Sequence, residues 1–301
     1  MVDSIAFIGL GNMGGHMAAN LVKAGYQVTG FDLAAPACDV ARSQGVAIAS
    51  SGRAAAAAAD AVVTMLPAGR HVIATWTDLA TAVRPGTLLI DSSTIDVESS
   101  RKAHALMAER GCLALDAPVS GGVGGAAAGT LTFMVGGSLE AFAKGDPFLQ
   151  KMGKRIIHCG EAGAGQAAKI CNNKILGVSM AAVCEAFVLA EKLGLSHQAL
   201  FDVASVSSGQ CWSLTSYCPV PGPVPTSPAN NKYKPGFAAA LMLKDLKLAQ
   251  EAALASGAST PLGAEAAQLY GLLDKLGYGG DDFSAIIHFL RGFQDQQEKP
   301  T

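Results

Sequence analysis

The chain has 301 residues and a formal net charge of −2, and half of its residues are hydrophobic while 15% are charged. A chain of this length is expected to form about two domains with a large buried core. The nearly neutral charge argues against a nucleic-acid-binding protein or one that binds an anionic membrane surface. The apolar runs fall short of the roughly 18 to 20 uncharged residues that a membrane-spanning helix needs.

The chain opens on a predicted strand, a glycine-rich turn and a predicted helix. Gly9 would permit a tight turn, Gly11 would let the backbone approach a pyrophosphate, and Gly14 would let the helix pack on the strand. The N–H groups at the positive end of the helix would then hold the pyrophosphate. Structural turns share this spacing, so the flanking strand and helix are what favour a dinucleotide site. The predicted cofactor residues of the turn are Gly9, Leu10, Gly11, Asn12, Met13 and Gly14.

Asp32 ends the second predicted strand. A carboxylate at this position can accept hydrogen bonds from the ribose hydroxyls of an adenosine. Its negative charge would repel the 2′-phosphate of NADP, and residues 33–36 contain no Arg or Lys to bind that phosphate. The sequence therefore predicts NAD as the cofactor.

After Asp32, predicted strands alternate with helices, which is typical of a parallel, doubly wound α/β sheet of the Rossmann type. Ligands of such sheets bind beyond the carboxyl ends of the strands. The candidate cofactor residues at these ends are Met65, Leu66, Pro67 and Thr94. A second glycine cluster, with Ser120, Gly121 and Gly122, could hold a carboxylate through its hydroxyl and backbone N–H groups. A flexible loop would explain the cluster equally well.

From Gly163 onward the predicted elements are all helical, and the first of them is a long helix that ends near Leu193. The last two predicted helices run over residues 260–276 and 283–293. The sequence thus predicts a dinucleotide-binding domain over residues 1–162 and an all-α substrate and oligomerisation domain over residues 163–301. A proline-rich stretch, residues 219–225, interrupts the helical half. Inside a helical domain we expect it to be a long ordered loop over an active site rather than a linker.

Two pairs of polar residues lie in apolar helical surroundings. Lys169 and Asn173 are four positions apart and share a helix face. Burial makes a lysine easier to deprotonate, so Lys169 could exchange a proton near neutral pH. A lysine that extends to solvent from a buried helix, or one that is paired with an acid, would explain its position equally well. Lys244 and Asp245 could form a structural ion pair or line a cleft between the domains.

The cysteines and histidines lack the spacing of metal ligands. The seven cysteines include no CxxC pair, so we expect free thiols in a reducing compartment. The six histidines show no HxH, HxxxH or HExxH pattern, so no metal site is predicted. The first strand starts close to the N-terminus, which leaves little room for a signal peptide and favours a cytoplasmic protein.

Four motifs, in this order along the chain, resemble those of the β-hydroxyacid dehydrogenase family. They are the glycine turn 9–14, the segment 116–122, Gly163 and Gly165 with Lys169 and Asn173, and the segment 244–246. The resemblance covers nearly the whole chain. Residues 207–213 and 228–231 are more similar to the hydroxyisobutyrate branch of the family than to its tartronate semialdehyde and glyoxylate reductases.

The resemblance implies a role for each candidate residue. Lys169 would be the general base during oxidation and the general acid in reverse. Asn173 would position the substrate, and Ser120, Gly121 and Gly122 would bind its carboxylate. Lys244 would lie near the nicotinamide with Asp245 orienting it, and Trp212 would form a wall of the substrate pocket.

The implied reaction is NAD-dependent oxidation of a small-molecule 3-hydroxy acid, with 3-hydroxyisobutyrate giving methylmalonate semialdehyde in valine catabolism as the expected case. No nucleic-acid or membrane partner is expected, and the apolar helical domain suggests a homodimer or homotetramer. The alternatives are a related dehydrogenase acting on L-serine, a semialdehyde reductase that favours NADPH, and a non-catalytic reader module. The presence of Lys169 argues against the reader module.

Overall fold

The computed structural model describes residues 4–292 and divides the chain into two compact units. The boundary between the units lies between Lys169 and Ile170. It falls a few residues after the predicted division at 162/163, which stays a prediction.

The first unit contains nine strands that form one sheet. In chain order they are β1 Ser4–Ile8, β2 Gln27–Phe31, β3 Ala47–Ile48, β4 Ala61–Thr64, β5 Leu88–Asp91, β6 Leu113–Asp116, β7 Val119–Ser120, β8 Leu131–Gly136 and β9 Gly153–Gly160. The order across the sheet is β3-β2-β1-β4-β5-β6-β8-β7, and β9 pairs with β8. Adjacent strands from β3 to β6 are parallel. The predicted doubly wound parallel sheet is therefore confirmed for this part.

Helices connect these strands and cover the sheet. They are α1 Gly14–Lys23, α2 Ala35–Ser43, α3 Gly52–Ala56, α4 Gly69–Leu79, α5 Val97–Ala108, α6 Gly122–Ala128 and α7 Leu139–Met152. Every residue of β4 and β5 is buried, which is expected for parallel strands that are covered on both faces. Two apolar clusters of the unit form its core, one with Phe7 and Phe133 and the other with Trp76.

The far side of the sheet departs from the parallel pattern. Strand β8 runs antiparallel to β6 and β7, and it is parallel to β9. The glycine cluster lies here: Ser120 ends β7, and Gly122 begins α6. The cluster is thus a short strand followed by a helix, and the alternative of a flexible loop is wrong. Sequence alone did not indicate this helix because it consists of glycine, alanine and one valine.

The second unit is helical. A 29-residue helix, α8 Ala164–Lys192, begins in the first unit and continues into the second. The remaining α-helices are α9 His197–Ala204, α10 Trp212–Thr215, α11 Ala239–Ser256, α12 Pro261–Leu273 and α13 Ile286–Leu290. The 3₁₀-helices Pro228–Asn231 and Phe283–Ala285 and the π-turn Asp274–Tyr278 complete it. Their apolar faces form one core that includes Phe187, Tyr270 and Phe283. Over residues 170–292 the structure contains no strand, as predicted, and one isolated bridge joins Ala238 to Asp282.

Two predicted helices end differently from expectation. The helix expected to reach Leu276 ends at Leu273, because the chain turns at Gly277, whose φ is +90°. A residue with this φ is strained unless it is glycine. The last predicted helix was expected to reach Phe293, which lies outside the described residues; within them, it is divided into a 3₁₀ turn and α13.

Helix α8 is long and apolar enough to cross a membrane by length and composition alone. In its most apolar 18-residue window, 44% of the residues are buried within the fold. The core helix of a soluble protein passes the same test, so this helix is weak evidence for a membrane span.

Candidate active site

The glycine turn after β1 has the shape that a dinucleotide requires. Gly9 has a φ of +95°, and a Cβ there would lie 2.2 Å from the carbonyl oxygen of Met65. A Cβ on Gly14 would lie 1.9 Å from the carbonyl oxygen of Gly9, so this glycine allows α1 to pack on the turn. By contrast, a Cβ on Gly11 would meet nothing within 4 Å. The turn is therefore closed on its protein side and open at Gly11, where a pyrophosphate would approach.

Asp32 is fixed beside this turn by two backbone groups. The N–H of Leu10 donates to its Oδ2 at 2.7 Å, and the N–H of Ala34 donates to its Oδ1 at 2.8 Å. An ionised carboxylate has about four acceptor positions, so each oxygen keeps capacity for a ribose hydroxyl. Helix α1 has no side-chain cap at Met13, and the N–H of Gly15 donates to the carbonyl oxygen of Gly11. The positive end of the helix dipole favours an anion at this turn. These residues fit a dinucleotide.

The ends of β4 and β5 are tied together by Ser93. Its Oγ accepts a hydrogen bond from the N–H of Leu66 at 2.7 Å and donates to Asp91 Oδ1 at 2.6 Å. Thr64 donates to the same carboxylate oxygen at 2.7 Å. Ser93 thus binds the backbone of Leu66 and directly precedes Thr94 in the chain. It connects the two segments that contain these predicted cofactor residues.

Asp91 is a buried acid, and its side chain is 2% exposed. Burial raises its pKa to about 6, although the hydrogen bonds from Ser93 and Thr64 oppose the rise. Asp116, its register partner on β6, adds a smaller contribution in the same direction. Asp91 Oδ2 has no hydrogen-bond partner within residues 4–292. Burying the ionised form of Asp91 at the strand ends therefore costs free energy.

The first turn of α8 is anchored to the end of β6. Asp116 accepts from the N–H of Gly163 at 2.8 Å and from the N–H of Gln166 at 2.9 Å. A carboxylate at a helix N-terminus satisfies N–H groups that lack partners in the helix and interacts favourably with the helix dipole. His104 Nε2 lies 3.1 Å from Asp116 Oδ1. A Cβ on Gly165 would lie 2.3 Å from the carbonyl oxygen of Met134, so the turn packs too closely against β8 to admit a side chain at position 165.

Lys169 follows this anchored turn and is 6% exposed. It and Asn173 are one helical turn apart on α8, as predicted. Asn173 Nδ2 donates to Asp245 Oδ2 at 2.5 Å, and its Oδ1 accepts from Asn172 at 3.0 Å. Asp245 is 3% exposed, and its Oδ1 lies 3.7 Å from Lys244 Nζ. The structure thus joins three predicted substrate residues of the second unit, and Asp245 holds Asn173 more closely than it holds Lys244.

Trp212 belongs to a different set of contacts. Its ring is half exposed and stacks on Tyr217, with ring centroids 4.8 Å apart. Tyr217 donates to Asp282 Oδ2 at 2.8 Å. Burial, together with the charge of Asp282, raises the pKa of the Tyr217 hydroxyl well above its usual value. Asp282 also accepts from the backbone N–H groups of residues 236 and 237, so it connects Tyr217 to this backbone segment.

The proline-rich stretch packs on the core of the second unit. Val220 and Val224 are buried in that core. Asn230 Oδ1 accepts from the N–H of Gly222 at 3.0 Å, and Asn230 Nδ2 donates to the carbonyl oxygen of Val224 at 2.8 Å. The stretch is thus a hydrogen-bonded loop. Its predicted place over an active site stays a prediction.

Sequence reasoning missed several residues that position the site. Asp91, Ser93, Asp116, Gln166 and Tyr217 are all in this group. A signal existed for the two acids, because each one follows three apolar or small residues at the carboxyl end of a buried strand. For Gln166 and Tyr217 the local pattern gave none, since their side-chain partners are distant in sequence. Ser93 has one near partner, Asp91, and one distant partner, Leu66. Within the described part of the chain, no group of three or more His, Cys, Asp or Glu residues is arranged to hold a metal ion.

Two family models match the chain and together cover most of it. Residues 4–160 match the NAD-binding domain of 6-phosphogluconate dehydrogenase. Residues 163–290 match a model described as the NAD-binding domain of NADP-dependent 3-hydroxyisobutyrate dehydrogenase.

Curated relatives and a solved structure extend this comparison. A probable 3-hydroxyisobutyrate dehydrogenase of Mycobacterium tuberculosis is 56% identical over 294 residues, which are 98% of this chain and 100% of the relative. An NAD-dependent L-serine dehydrogenase of Pseudomonas aeruginosa is 50% identical over 298 residues, 98% of this chain and 100% of the relative. The structure of M. tuberculosis 3-hydroxyisobutyrate dehydrogenase with L-serine matches with a TM-score of 0.94 and 57% identity, covering 97% of this chain and 100% of that one.

Proposed function

We propose a substrate and a proton-transfer residue for this chain, which belongs to the β-hydroxyacid dehydrogenase family and is an NAD-dependent oxidoreductase of the 3-hydroxyisobutyrate dehydrogenase type. The proposed reaction is the oxidation of 3-hydroxyisobutyrate to methylmalonate semialdehyde, a step of valine catabolism. Bound NAD⁺ supplies the chemistry of the reaction by accepting a hydride from the hydroxyl-bearing carbon of the substrate. The protein supplies geometry and moves one proton.

The observation that carries the proposal is the burial of Lys169 immediately after the anchored first turn of α8. In the neutral form, Lys169 Nζ would accept the hydroxyl proton of the substrate while the carbon–oxygen double bond forms. In the reverse direction the ammonium would return that proton. Asn173, held by Asp245, would present its amide to the substrate. Ser120, Gly121 and Gly122 would bind the carboxylate, with Trp212 and Lys244 as further substrate contacts.

The cofactor contacts follow from the strand ends of the first unit. The glycine turn 9–14 would hold the pyrophosphate, and Asp32 would accept from the adenosine ribose. Met65, Leu66, Pro67 and Thr94 would line the nicotinamide side, and Lys244 would lie near the ring. We also propose an NAD-binding domain of the Rossmann type over residues 1–162 followed by an all-helical substrate and oligomerisation domain over 163–301, a cytoplasmic location, and a homodimer or homotetramer. Exposed apolar side chains of the second unit, such as Leu193, Val206 and Leu254, support subunit contacts.

L-serine is the second candidate substrate, because one relative is named for it and one solved relative is described with it. Both substrates offer a carboxylate and a primary hydroxyl. They differ at the central carbon, where 3-hydroxyisobutyrate has a methyl group and L-serine an ammonium. An ammonium there requires an acceptor or a negative charge, whereas a methyl group requires an apolar wall.

The test compares NAD⁺ reduction with 3-hydroxyisobutyrate, L-serine, 3-hydroxypropionate and glycerate at equal concentrations. We expect the largest kcat/KM with 3-hydroxyisobutyrate. A larger value with L-serine would replace the proposed substrate by the second candidate. In the same assay, Lys169→Ala should lower kcat by at least about 100-fold, since general acid–base catalysis contributes this much or more. NADH binding, followed by fluorescence titration, should be largely retained.

Lys174→Ala, on the same helix, is the matched control and should stay close to the wild-type rate. Near-normal turnover in Lys169→Ala would contradict the role given to this lysine, whichever substrate is preferred.

A further inference from the structure

Gln166 is fully buried on the first turn of α8, three positions before Lys169. Both ends of its side-chain amide are hydrogen-bonded. Its Nε2 donates to the carbonyl oxygen of Ser93 at 2.7 Å, and its Oε1 accepts from the N–H of Ile95 at 3.1 Å. These two backbone groups lie on either side of Thr94. One side chain therefore connects the turn that precedes the lysine to the segment that contains a predicted cofactor residue.

The backbone of the same residue is fixed as well. Its N–H donates to Asp116 Oδ2 at the end of β6. Ser93, at the other end of the amide, holds the N–H of Leu66 through its hydroxyl. Gln166 thus joins the ends of β4, β5 and β6 to one turn of α8. A residue that stabilised only the helix would need none of the contacts to residues 93 and 95.

We propose that Gln166 is a positioning residue, which sets the place of Lys169 relative to the Thr94 segment and so aligns proton transfer with the cofactor. The inference deepens the proposed function and rests on the role given there to Lys169. Catalytic geometry is sensitive to such supports, since a displacement of about 1 Å from a remote change can cost on the order of 100-fold in rate.

The first variant is Gln166→Leu, which keeps most of the side-chain volume and removes both hydrogen bonds. We expect kcat to fall by about 10- to 100-fold, by the same sensitivity to displacement. The KM for NAD⁺ should rise several-fold, because the backbone on both sides of Thr94 loses a partner. Gln150→Leu is the matched control: this glutamine is exposed on α7 and pairs with Asp146, so kcat and KM should be unchanged.

The second variant, Gln166→Glu, distinguishes a positioning role of this residue from a contribution to the overall stability of the protein. A protonated carboxyl can donate to the carbonyl oxygen of Ser93 and accept from the N–H of Ile95, as the amide does. The ionised form cannot donate and would repel that carbonyl oxygen. Burial and the nearby carboxylate of Asp116 favour the protonated form. The kcat of this variant, divided by that of the wild type, should therefore rise as the pH is lowered.

Hydrogen exchange provides a readout that does not depend on activity. In the enzyme without substrate, amides of residues 163–170 should exchange faster in Gln166→Leu than in the wild type or in Gln150→Leu. A wild-type kcat in Gln166→Leu, or a kcat ratio for Gln166→Glu that does not change with pH, would overturn the proposal. Lowered thermal stability with unchanged kcat and exchange would also overturn it, since that result indicates a purely structural residue. Failure of the proposed function is distinguishable, because it would appear as wild-type inactivity toward 3-hydroxy acids. The exchange measurement would then still test whether Gln166 holds the first turn of α8 in place.

Discussion

Asp32 serves two purposes with one carboxylate. It accepts backbone hydrogen bonds from Leu10 and Ala34, which fix the glycine turn against the end of β2, and it keeps acceptor positions for a ribose. Its negative charge also opposes a 2′-phosphate. The shape of the cofactor turn and the choice of cofactor therefore depend on the same side chain.

Asp32→Asn separates these two purposes. The amide oxygen can still accept one backbone hydrogen bond, whereas the charge that repels a phosphate is lost. We expect the ratio of kcat/KM for NAD⁺ to that for NADP⁺ to fall by at least about 10-fold, since hydrogen bonds to a charged acceptor contribute about 1.5 to 3 kcal/mol. Asp32→Ala should reduce the ratio further and also loosen the turn. An unchanged ratio in Asp32→Asn would remove the argument from charge.

The predictability of single residues from the sequence depended on how far their partners lie along the chain. Asp32 could be predicted because the glycine turn and the following strand place it within one local unit. The pairing of Asn173 with Asp245 joins residues 72 positions apart, and no local pattern reports it. The sequence indicated that Lys169 and Asn173 share a face, yet it could not show that Asn173 is held by an acid of another helix.

At the scale of elements, the ends of β4 and β5 act together because Ser93 connects them. Its Oγ binds the N–H of Leu66 and the carboxylate of Asp91 at the same time. If this oxygen were removed, the N–H of Leu66 and the carboxylate of Asp91 would each lose one hydrogen-bond partner. Two adjacent strand ends, both predicted to face the cofactor, would then become less well defined.

Ser93→Ala should lower the free energy of unfolding by about 2 kcal/mol, because a lost partner of a buried polar group costs about 1 to 3 kcal/mol. We also expect the KM for NAD⁺ to rise about fivefold, which corresponds to about 1 kcal/mol of cofactor binding. Ser92→Ala is the control in the neighbouring position. Ser92 is fully buried, and its Oγ has no hydrogen-bond partner among residues 4–292, so its removal should leave both quantities nearly unchanged. Equal effects of the two substitutions would contradict the linking role of Ser93.

Elements with a strong periodic pattern were predicted well, and elements without one were not. Strands β1, β4, β5 and β6 are apolar runs bounded by turns, and α8 follows a long helical pattern, so the structure has them as strands and a helix, as predicted. Helix α6 consists of glycine, alanine and one valine, which have no helical polar face to recognise. The antiparallel course of β8 depends on which strand it pairs with, and pairing partners are set by the tertiary fold.

For the whole molecule, the buried Asp91 links stability to pH. Its pKa is raised from 3.8 to about 6, so the folded protein binds more protons than the unfolded chain between these values. Stability from this group is therefore largest below about pH 4 and declines as the pH rises to 6. The decline amounts to about 3 kcal/mol, at 1.36 kcal/mol per unit of pKa.

Asp91→Asn should remove this decline. The difference in free energy of unfolding between wild type and variant, measured in urea at pH 4.5, 6 and 7.5, should change in favour of the variant as the pH rises. Asp39→Asn provides an exposed control, since its carboxylate lies on the surface beside Arg42. A difference between wild type and Asp91→Asn that is constant with pH would show that folding does not raise the pKa of Asp91.

The close packing of the first turn of α8 limits where two relatives can be joined in a designed chimera. A crossover placed at residues 160–163, where the two family models meet, would separate Asp116 and Ser93 from Gly163 and Gln166. The chimera would then combine an acid and a strand end from one parent with the helix turn of another, with no space for adjustment at Gly165. Chimeras of two relatives should therefore be joined within α8, after Lys169. The first turns of α8 then come from the same parent as the sheet, and the rest of the helix comes from the same parent as the helical half.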